Sequence, residues 1–182
     1  MRSFILIALL STATAAIAQD TCGPLPDHAS EKNEIYDQLR IARDATDARI
    51  LSDDLWRLWL DAPDMRAQEL LDEGMARNRV GDTAGSIAAL DALIAYCPDY
   101  AEAYNQRAYT AFLAQDYETA LRNLDLALDR EPRHLGALTG KALTLIGMGR
   151  EDDAQEPLRL ALRLNRWLSE RALLTGPMEE EI

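Results

Sequence analysis

The apolar positions of the chain recur with a regular period of about 34 residues between residue 67 and residue 166. Within each period, a large apolar residue is followed four positions later by a small one. These pairs are Leu70 with Gly74, Tyr104 with Ala108, and Leu138 with Ala142. Residues four apart lie on one face of an α-helix, and a small side chain there lets a second helix approach closely. The pattern therefore predicts a tightly packed helix at the start of each period.

A second helix is predicted in the latter half of each period. One face of it is marked by residues spaced four and then three positions apart: Ser86, Leu90 and Leu93, then Ala120, Leu124 and Ala127, then Ala154, Leu158 and Ala161. Asp82 and Asp116 precede the first two of these helices, where an aspartate accepts hydrogen bonds from free backbone N–H groups. Pro98 and Pro132 follow them, where a proline stops a helix. Each period thus predicts two helices joined by a tight turn.

This arrangement resembles the tetratricopeptide repeat, a helix–turn–helix unit of about 34 residues. The stretch YAEAYNQRAYTAFLAQDYETALRNLDLALDREP, residues 100–132, carries the resemblance at several positions: Tyr104, Asn105, Arg107, Ala108, Ala120, Leu124, Ala127 and Pro132. The resemblance implies an all-α solenoid of about three repeats within residues 64–166, closed by capping helices at both ends. The three repeats are expected at 67–98, 101–132 and 135–166.

The last repeat departs from the pattern. Pro157 falls inside its second helix, where it removes a backbone hydrogen bond and should kink the helix. Arg166 replaces the closing proline. Irregular terminal repeats are expected, because the end of a solenoid faces solvent instead of a neighbouring repeat.

The segments outside the repeats divide by composition into tails and capping helices. Residues 29–63 predict N-terminal capping helices, and residues 167–175 predict a C-terminal capping helix. A flexible tail is expected at 19–28, and an acidic tail at 176–182.

Two tryptophans, Trp56 and Trp59, lie in the second capping helix, which is predicted to begin at Ser52. They either cover the open end of the first repeat or form part of a surface that binds a partner, where tryptophan is enriched. Covering the first repeat is the simpler interpretation, and the sequence leaves both open.

Residues 1–18 have the pattern of a secretory signal peptide. Arg2 is followed by an apolar stretch, and Ala16-Ile17-Ala18 fits the cleavage pattern of small residues. The apolar stretch is shorter than the roughly 20 residues that span a bilayer, so we expect no integral membrane span after cleavage. A retained membrane anchor is the alternative. The sequence therefore predicts a periplasmic or secreted protein.

The chain contains two cysteines, Cys22 and Cys97. In an oxidising compartment an even number of cysteines favours a disulfide. We expect these two to be bridged, with a pair of free thiols as the alternative.

Charge and motifs argue against several classes of function. The formal net charge of −12 disfavours nucleic acid as a partner. The sequence lacks a phosphate-binding loop, a nucleophile elbow, a paired-histidine zinc helix and a haem-attachment motif. Neither His28 nor His134 has metal-ligand spacing, and both are interpreted as surface histidines. We predict no catalytic residues, no metal and no cofactor.

The resemblance implies that the first helix of each repeat lines a concave groove that binds a peptide or protein. The candidate groove residues are Met75, Asn105, Tyr109, Phe112, Thr139 and Leu143. Asn105 could donate and accept hydrogen bonds to a peptide backbone, while Tyr109 and Phe112 offer flat apolar anchors. The alternative is that these side chains pack against the flanking helices. Members of the family that bind acidic chain ends use basic side chains on the groove helices, and such a clamp is absent here.

The predicted function is therefore a non-catalytic adaptor or scaffold that binds a protein or peptide of the cell envelope in its groove. Two alternatives remain: a structural subunit that assembles with itself, and an accessory subunit of an envelope enzyme or assembly complex.

Overall fold

The computed structural model describes residues 21–176. The predicted signal peptide and the acidic tail from Pro177 onward lie outside the described residues. Within 21–176 all the regular secondary structure is helical, which confirms the predicted all-α class. The helices are α1 (Ala29–Ile41), α2 (Ala45–Trp59), α3 (Met65–Arg79), α4 (Thr83–Tyr96), α5 (Ala101–Leu113), α6 (Tyr117–Arg130), α7 (Leu135–Gly147), α8 (Glu151–Leu164) and a 3₁₀ helix (Ser169–Leu173).

Helices α3 to α8 form three consecutive pairs, each packed against the next along the chain. The small residue of the first pair decides how closely its helices approach. A Cβ atom added at Gly74 would lie 2.7 Å from Cγ of Leu90 on α4, closer than packed carbon atoms come. Glycine is therefore needed where α3 meets α4.

Aspartate side chains cap the N-termini of three helices of the solenoid. Asp64 accepts from the N–H of Ala67 at 2.9 Å, Asp82 from Gly85 at 2.9 Å, and Asp116 from Thr119 at 3.1 Å. These bonds use backbone donors that a helix start leaves unpaired.

The turn inside each helix pair contains one residue in the left-handed region. Gly81 and Gly149 occupy it in the first and third pairs, with φ of 78° and 71°. Gln115 occupies it in the second pair, with φ of 61°. A residue with a Cβ atom is disfavoured in this conformation, so the second turn is less favourable than the other two.

Matching ion pairs join consecutive helix pairs. Arg107 Nε on α5 lies 2.6 Å from Asp91 Oδ1 on α4, and Lys141 Nζ on α7 lies 2.6 Å from Asp125 Oδ1 on α6. Both members of the second ion pair follow those of the first by one repeat period. The stacking geometry is therefore repeated.

Helices α1 and α2 form a hairpin that packs on the last helix pair. Trp59, Leu39 and Leu55 share one core cluster with Leu135 and Leu138 of α7. The interpretation that the tryptophans cover the first repeat is therefore wrong for Trp59. Periodicity within the hairpin does not reveal which distant surface it contacts.

The second capping helix also begins earlier than Ser52. Asp44 caps α2 by accepting from the N–H groups of Thr46 and Asp47 at 2.9 and 3.0 Å. The prediction placed the start of this helix next to its dense apolar stretch, and Asp44 precedes that stretch.

Residues 21–28 are anchored to the solenoid where a flexible tail was expected. Cys22 and Cys97 form a disulfide that ties this segment to the end of α4. The N–H of Gly23 donates to Asp64 Oδ2 at 2.7 Å, and the Tyr96 hydroxyl donates to the same oxygen at 3.0 Å. The start of α3 is thereby held against the N-terminal segment.

The C-terminal capping helix expected at 167–175 is replaced by the short 3₁₀ helix Ser169–Leu173. Trp167 and Leu168 pack onto the hairpin cluster instead of starting a helix. The indole N–H of Trp167 donates to the Ala42 carbonyl oxygen at 3.3 Å, and the Asn165 side chain accepts from the Trp167 N–H at 2.9 Å. These contacts hold residues 165–168 in a turn between α8 and the 3₁₀ helix.

Pro157 does not interrupt α8, which runs from Glu151 to Leu164. The side chain of Pro157 is buried there. No helix among residues 21–176 combines the length and apolar character needed to span a membrane.

Candidate functional site

An open cavity of about 710 Å³ lies along the first helices of the three pairs. The structure places all six sequence-predicted groove residues in its lining: Met75, Asn105, Tyr109, Phe112, Thr139 and Leu143. Trp56 of α2 also contributes to the lining, so the hairpin forms part of the wall. We call this cavity the groove.

The groove exposes large apolar side chains to solvent. Tyr109 is 52% exposed and Leu113 is 53% exposed. Phe112 rests against Tyr117 of α6, with ring centroids 5.7 Å apart and planes tilted by 54°. The C-terminal half of α5 therefore forms an apolar wall that α6 supports from behind.

The opposite wall carries few side-chain atoms. It is formed by Gly136, Thr139, Gly140 and Leu143 of α7. Leu124 of α6 packs against this wall, since a Cβ atom added at Gly140 would lie 3.0 Å from its Cδ2.

Asn105 reaches the groove but is only 6% exposed, because its amide is used in a buried network. Its Nδ2 donates to both carboxylate oxygens of Glu102, at 3.3 and 3.1 Å. Gln106 donates to Glu102 Oε1 at 2.5 Å. The expectation that Asn105 donates to a peptide is therefore wrong for this arrangement, since a carboxylate accepts its donor.

His134 is fully buried, so its interpretation as a surface histidine is wrong. Its Nδ1 accepts from the N–H of Ala137 at 3.2 Å and caps α7. Its Nε2 lies 2.8 Å from Glu102 Oε2, and its ring stacks on the indole of Trp59. The histidine is buried because the α1–α2 hairpin returns over the start of α7.

Glu102 is the residue of this network that the sequence interpretation missed. Its local signal is the spacing of Glu102, Asn105 and Gln106, which places three polar side chains on one turn of a helix that must pack on both sides. The packed hairpin completes the burial. Glu102 also contributes to the raised pKa of the nearby Tyr100 hydroxyl, after the larger effect of burial.

Among the described residues that line the groove, Arg79 is the one with a charged side chain. It is exposed in the last turn of α3. Glu102 lies in the first turn of α5, so the two charges lie near opposite ends of successive groove helices.

The geometry near the disulfide does not support a metal site. Cys22, Asp64 and Cys97 place potential ligand atoms within 4.8 Å of one another. Both cysteine sulfurs are used in the disulfide, and the Asp64 carboxylate caps α3. Hydrogen bonds from the N–H groups of Ala67 and Gly23 hold the pKa of Asp64 below its usual value.

No model of a known protein family matches the chain. A TPR repeat-containing protein of Rhizobium etli is 28% identical over 171 residues, covering 83% of this chain and 82% of the relative. TPR is the abbreviation for tetratricopeptide repeat.

Solved structures share the fold. The TPR2B domain of yeast Sti1, in complex with pHsp70, has a TM-score of 0.56 at 24% identity and covers 60% of this chain and 91% of its own. The first TPR of Spaghetti (RPAP3), bound to the HSP90 peptide SRMEEVD, has a TM-score of 0.57 at 16% identity, with coverages of 59% and 85%. The MamA protein has a TM-score of 0.52 at 20% identity and covers 82% of each chain.

Proposed function

Because the chain is a tetratricopeptide-repeat protein with an open apolar groove, we propose that it is a non-catalytic adaptor that holds a peptide or protein segment there. The observation that carries this proposal is the exposure of Tyr109 and Leu113, each about half exposed, on one wall of a 710 Å³ cavity. Clustered apolar side chains in a concave surface are typical of binding sites.

The likeness to solved complexes supports the same use of the fold. The Sti1 and Spaghetti structures are named as complexes with pHsp70 and with an HSP90 peptide. The chemistry of the ligand need not be shared, because the described residues that line the groove include one basic side chain, Arg79, and not the cluster expected for acidic chain ends.

Three groove residues contribute two kinds of contact to the proposed complex. The rings of Tyr109 and Phe112 pack against apolar side chains of the partner. The Thr139 hydroxyl already donates to the carbonyl oxygens of Leu135 and Gly136, both at 3.0 Å, and offers its lone pairs to the partner. Aromatic anchors of this kind often contribute much of the binding free energy.

A non-catalytic role is supported by the chemistry of the lining. Among the described residues that surround the groove, the polar groups are amides, hydroxyls, the indole N–H of Trp56 and the guanidinium of Arg79. Asn105 and Gln106 form the floor of the groove. Glu102 and His134 lie beneath this floor and form hydrogen bonds with each other, with Asn105 and with the start of α7.

We further propose that the adaptor works in the bacterial periplasm, with a protein of the cell envelope as its partner. The predicted signal peptide at 1–18 and the Cys22–Cys97 disulfide support export to an oxidising compartment. Recovery of a mature chain beginning at Gln19 in the periplasmic fraction tests this location. A full-length chain in the cytoplasmic fraction would contradict it.

Affinity capture from an envelope extract tests the binding role. The double variant Tyr109→Ala and Phe112→Ala should lose the partner captured by the unaltered protein. Leu126→Ala removes an exposed apolar side chain from α6, outside the groove lining, and is the matched control. Equal capture of the same partner by all three proteins would exclude the groove as the binding surface.

A further inference from the structure

A buried carboxylate lies directly beneath the groove floor. Glu102 is 1% exposed, and its oxygens accept from Gln106 at 2.5 Å, His134 at 2.8 Å and Asn105 at 3.1 Å. All these groups are hydrogen-bond donors, and a carboxylate is the form of glutamate that accepts from all of them. The network therefore holds a negative charge inside the protein.

That charge has no cationic partner in the described part of the chain. The N–H of Ala137 donates to His134 Nδ1, so this nitrogen carries no proton. The remaining ring proton is on Nε2, which donates to Glu102, and the imidazole is neutral. A buried charge solvated only by neutral donors attracts a cation more strongly than an exposed one does.

The same network turns two acceptors toward the groove. Because Asn105 Nδ2 and Gln106 Nε2 point to Glu102, their carbonyl oxygens point away from it. Asn105 and Gln106 are 6% and 4% exposed, both line the groove, and neither carbonyl oxygen has a hydrogen-bond partner among the described residues. Among the fully buried side-chain nitrogen and oxygen atoms of residues 21–176, Trp59 Nε1 is the one without a hydrogen-bond partner. The two amide oxygens therefore reach accessible space, which is the groove.

Building on the proposed function, we propose that the groove selects a peptide segment that inserts a lysine or arginine side chain between apolar residues. The amide oxygens of Asn105 and Gln106 accept hydrogen bonds from the cationic group, while the Glu102 charge beneath them favours it electrostatically. Tyr109 and Phe112 pack against the flanking apolar side chains. Arg79 lies toward the far end of the groove and does not compensate Glu102.

The total charge of −12 draws basic segments toward the protein in general, whereas the buried carboxylate makes the preference specific to one position. An exposed surface charge favours every basic peptide alike. Glu102 favours a basic side chain at a fixed distance from the apolar anchors, because it acts through two oriented amides.

Selection from a phage-displayed library of random dodecapeptides tests this inference. The protein is expected to enrich peptides with lysine or arginine at a fixed spacing from apolar residues. Glu102→Gln should remove this preference while keeping the apolar one. Glu118→Gln, which removes an exposed carboxylate from α6, is the matched control for net charge and should retain it.

The outcomes separate the inference from the proposed function. Selected peptides that lack a basic residue, or a basic preference that survives Glu102→Gln, would overturn the inference. After either of these two results, the groove proposal still stands if Tyr109→Ala abolishes binding of the selected peptides. Failure to select any peptide, or binding that Tyr109→Ala leaves unchanged, would contradict both.

A second measurement uses the unaltered protein and does not depend on the folding of a variant. A selected peptide is synthesised with lysine and with norleucine, which has a similar length but no charge. Loss of affinity by about tenfold or more on replacing lysine is expected from a charge interaction at this depth. Equal affinity of the two peptides would overturn the inference.

Discussion

The indole of Trp59 lies parallel to the imidazole of His134, with ring centroids 4.0 Å apart and planes inclined by 11°. This stack joins the end of α2 to the start of α7. The Tyr100 hydroxyl donates to the Trp59 carbonyl oxygen at 2.6 Å and connects the same point to the start of α5. The hairpin thus supports the helix starts beneath the groove as well as covering the hydrophobic core.

Trp59→Ala should destabilise the protein and release the hairpin. Removing a buried tryptophan typically lowers the free energy of unfolding by about 3–5 kcal/mol. Urea denaturation measures the loss, and hydrogen exchange should show faster exchange in α1 and α2 than in α3 and α4. Ile50→Ala on the exposed side of α2 is the control, with an expected change within about 0.5 kcal/mol. Equal stability of the two variants would contradict the docking role of Trp59.

Reduction of the Cys22–Cys97 disulfide should lower the melting temperature. The bridge closes a sequence separation of 75 residues, for which chain entropy gives a maximum stabilisation of about 4.5 kcal/mol. Thiol titration of the unfolded protein should detect two thiols only after reduction. Two thiols before reduction would contradict the bridge.

Gln115→Gly should stabilise the protein, because Gln115 adopts a positive φ where the equivalent turns have glycine. Glycine removes the strain of the left-handed conformation, but it also makes the unfolded chain more flexible, which offsets part of that benefit. The free energy of unfolding is therefore expected to rise by about 0.5–1 kcal/mol. Gly81→Ala is the reciprocal control and should destabilise. Urea denaturation measures both variants, and a loss of stability in Gln115→Gly would contradict this account.

Acid should weaken the solenoid through its aspartate helix caps. Hydrogen bonds hold the pKa values of Asp64, Asp82 and Asp116 below their usual value, so each pKa is lower in the folded than in the unfolded protein. Their stabilisation is complete above the unfolded pKa of about 3.9 and is lost as the pH falls through the folded pKa.

Replacing the three aspartates by asparagine keeps a capping side chain but removes the titration. The free energy of unfolding of the triple variant should therefore fall less between pH 5 and pH 3 than that of the unaltered protein. An equal fall in both proteins would exclude the caps as a source of acid sensitivity.

The repeated helix pairs could be predicted because their signals are local. Gly74, Ala108 and Ala142 mark close helix contacts, and Asp82 and Asp116 mark helix starts, within one repeat period. The groove candidates follow from the same register, since equivalent residues of a solenoid lie side by side.

The polar floor could not be predicted, because it depends on contacts between distant segments. His134 is buried by Trp59, which precedes it by more than two repeat periods, and the buried Glu102 lies against His134. Local spacing placed a histidine in a turn and gave no indication that the hairpin would return to cover it. The same long-range packing replaced the expected C-terminal helix, through the contact of Trp167 with Ala42.

Photocrosslinking in the cell tests the central claim, that the groove binds a protein partner, most directly. A photoreactive residue replaces Tyr109 in the groove or, as the control, Leu126 on α6; both positions are solvent-exposed. We predict a dominant crosslinked partner from position 109 that is absent from position 126. Crosslinks to the same partners from both positions, or from position 126 alone, would contradict the claim.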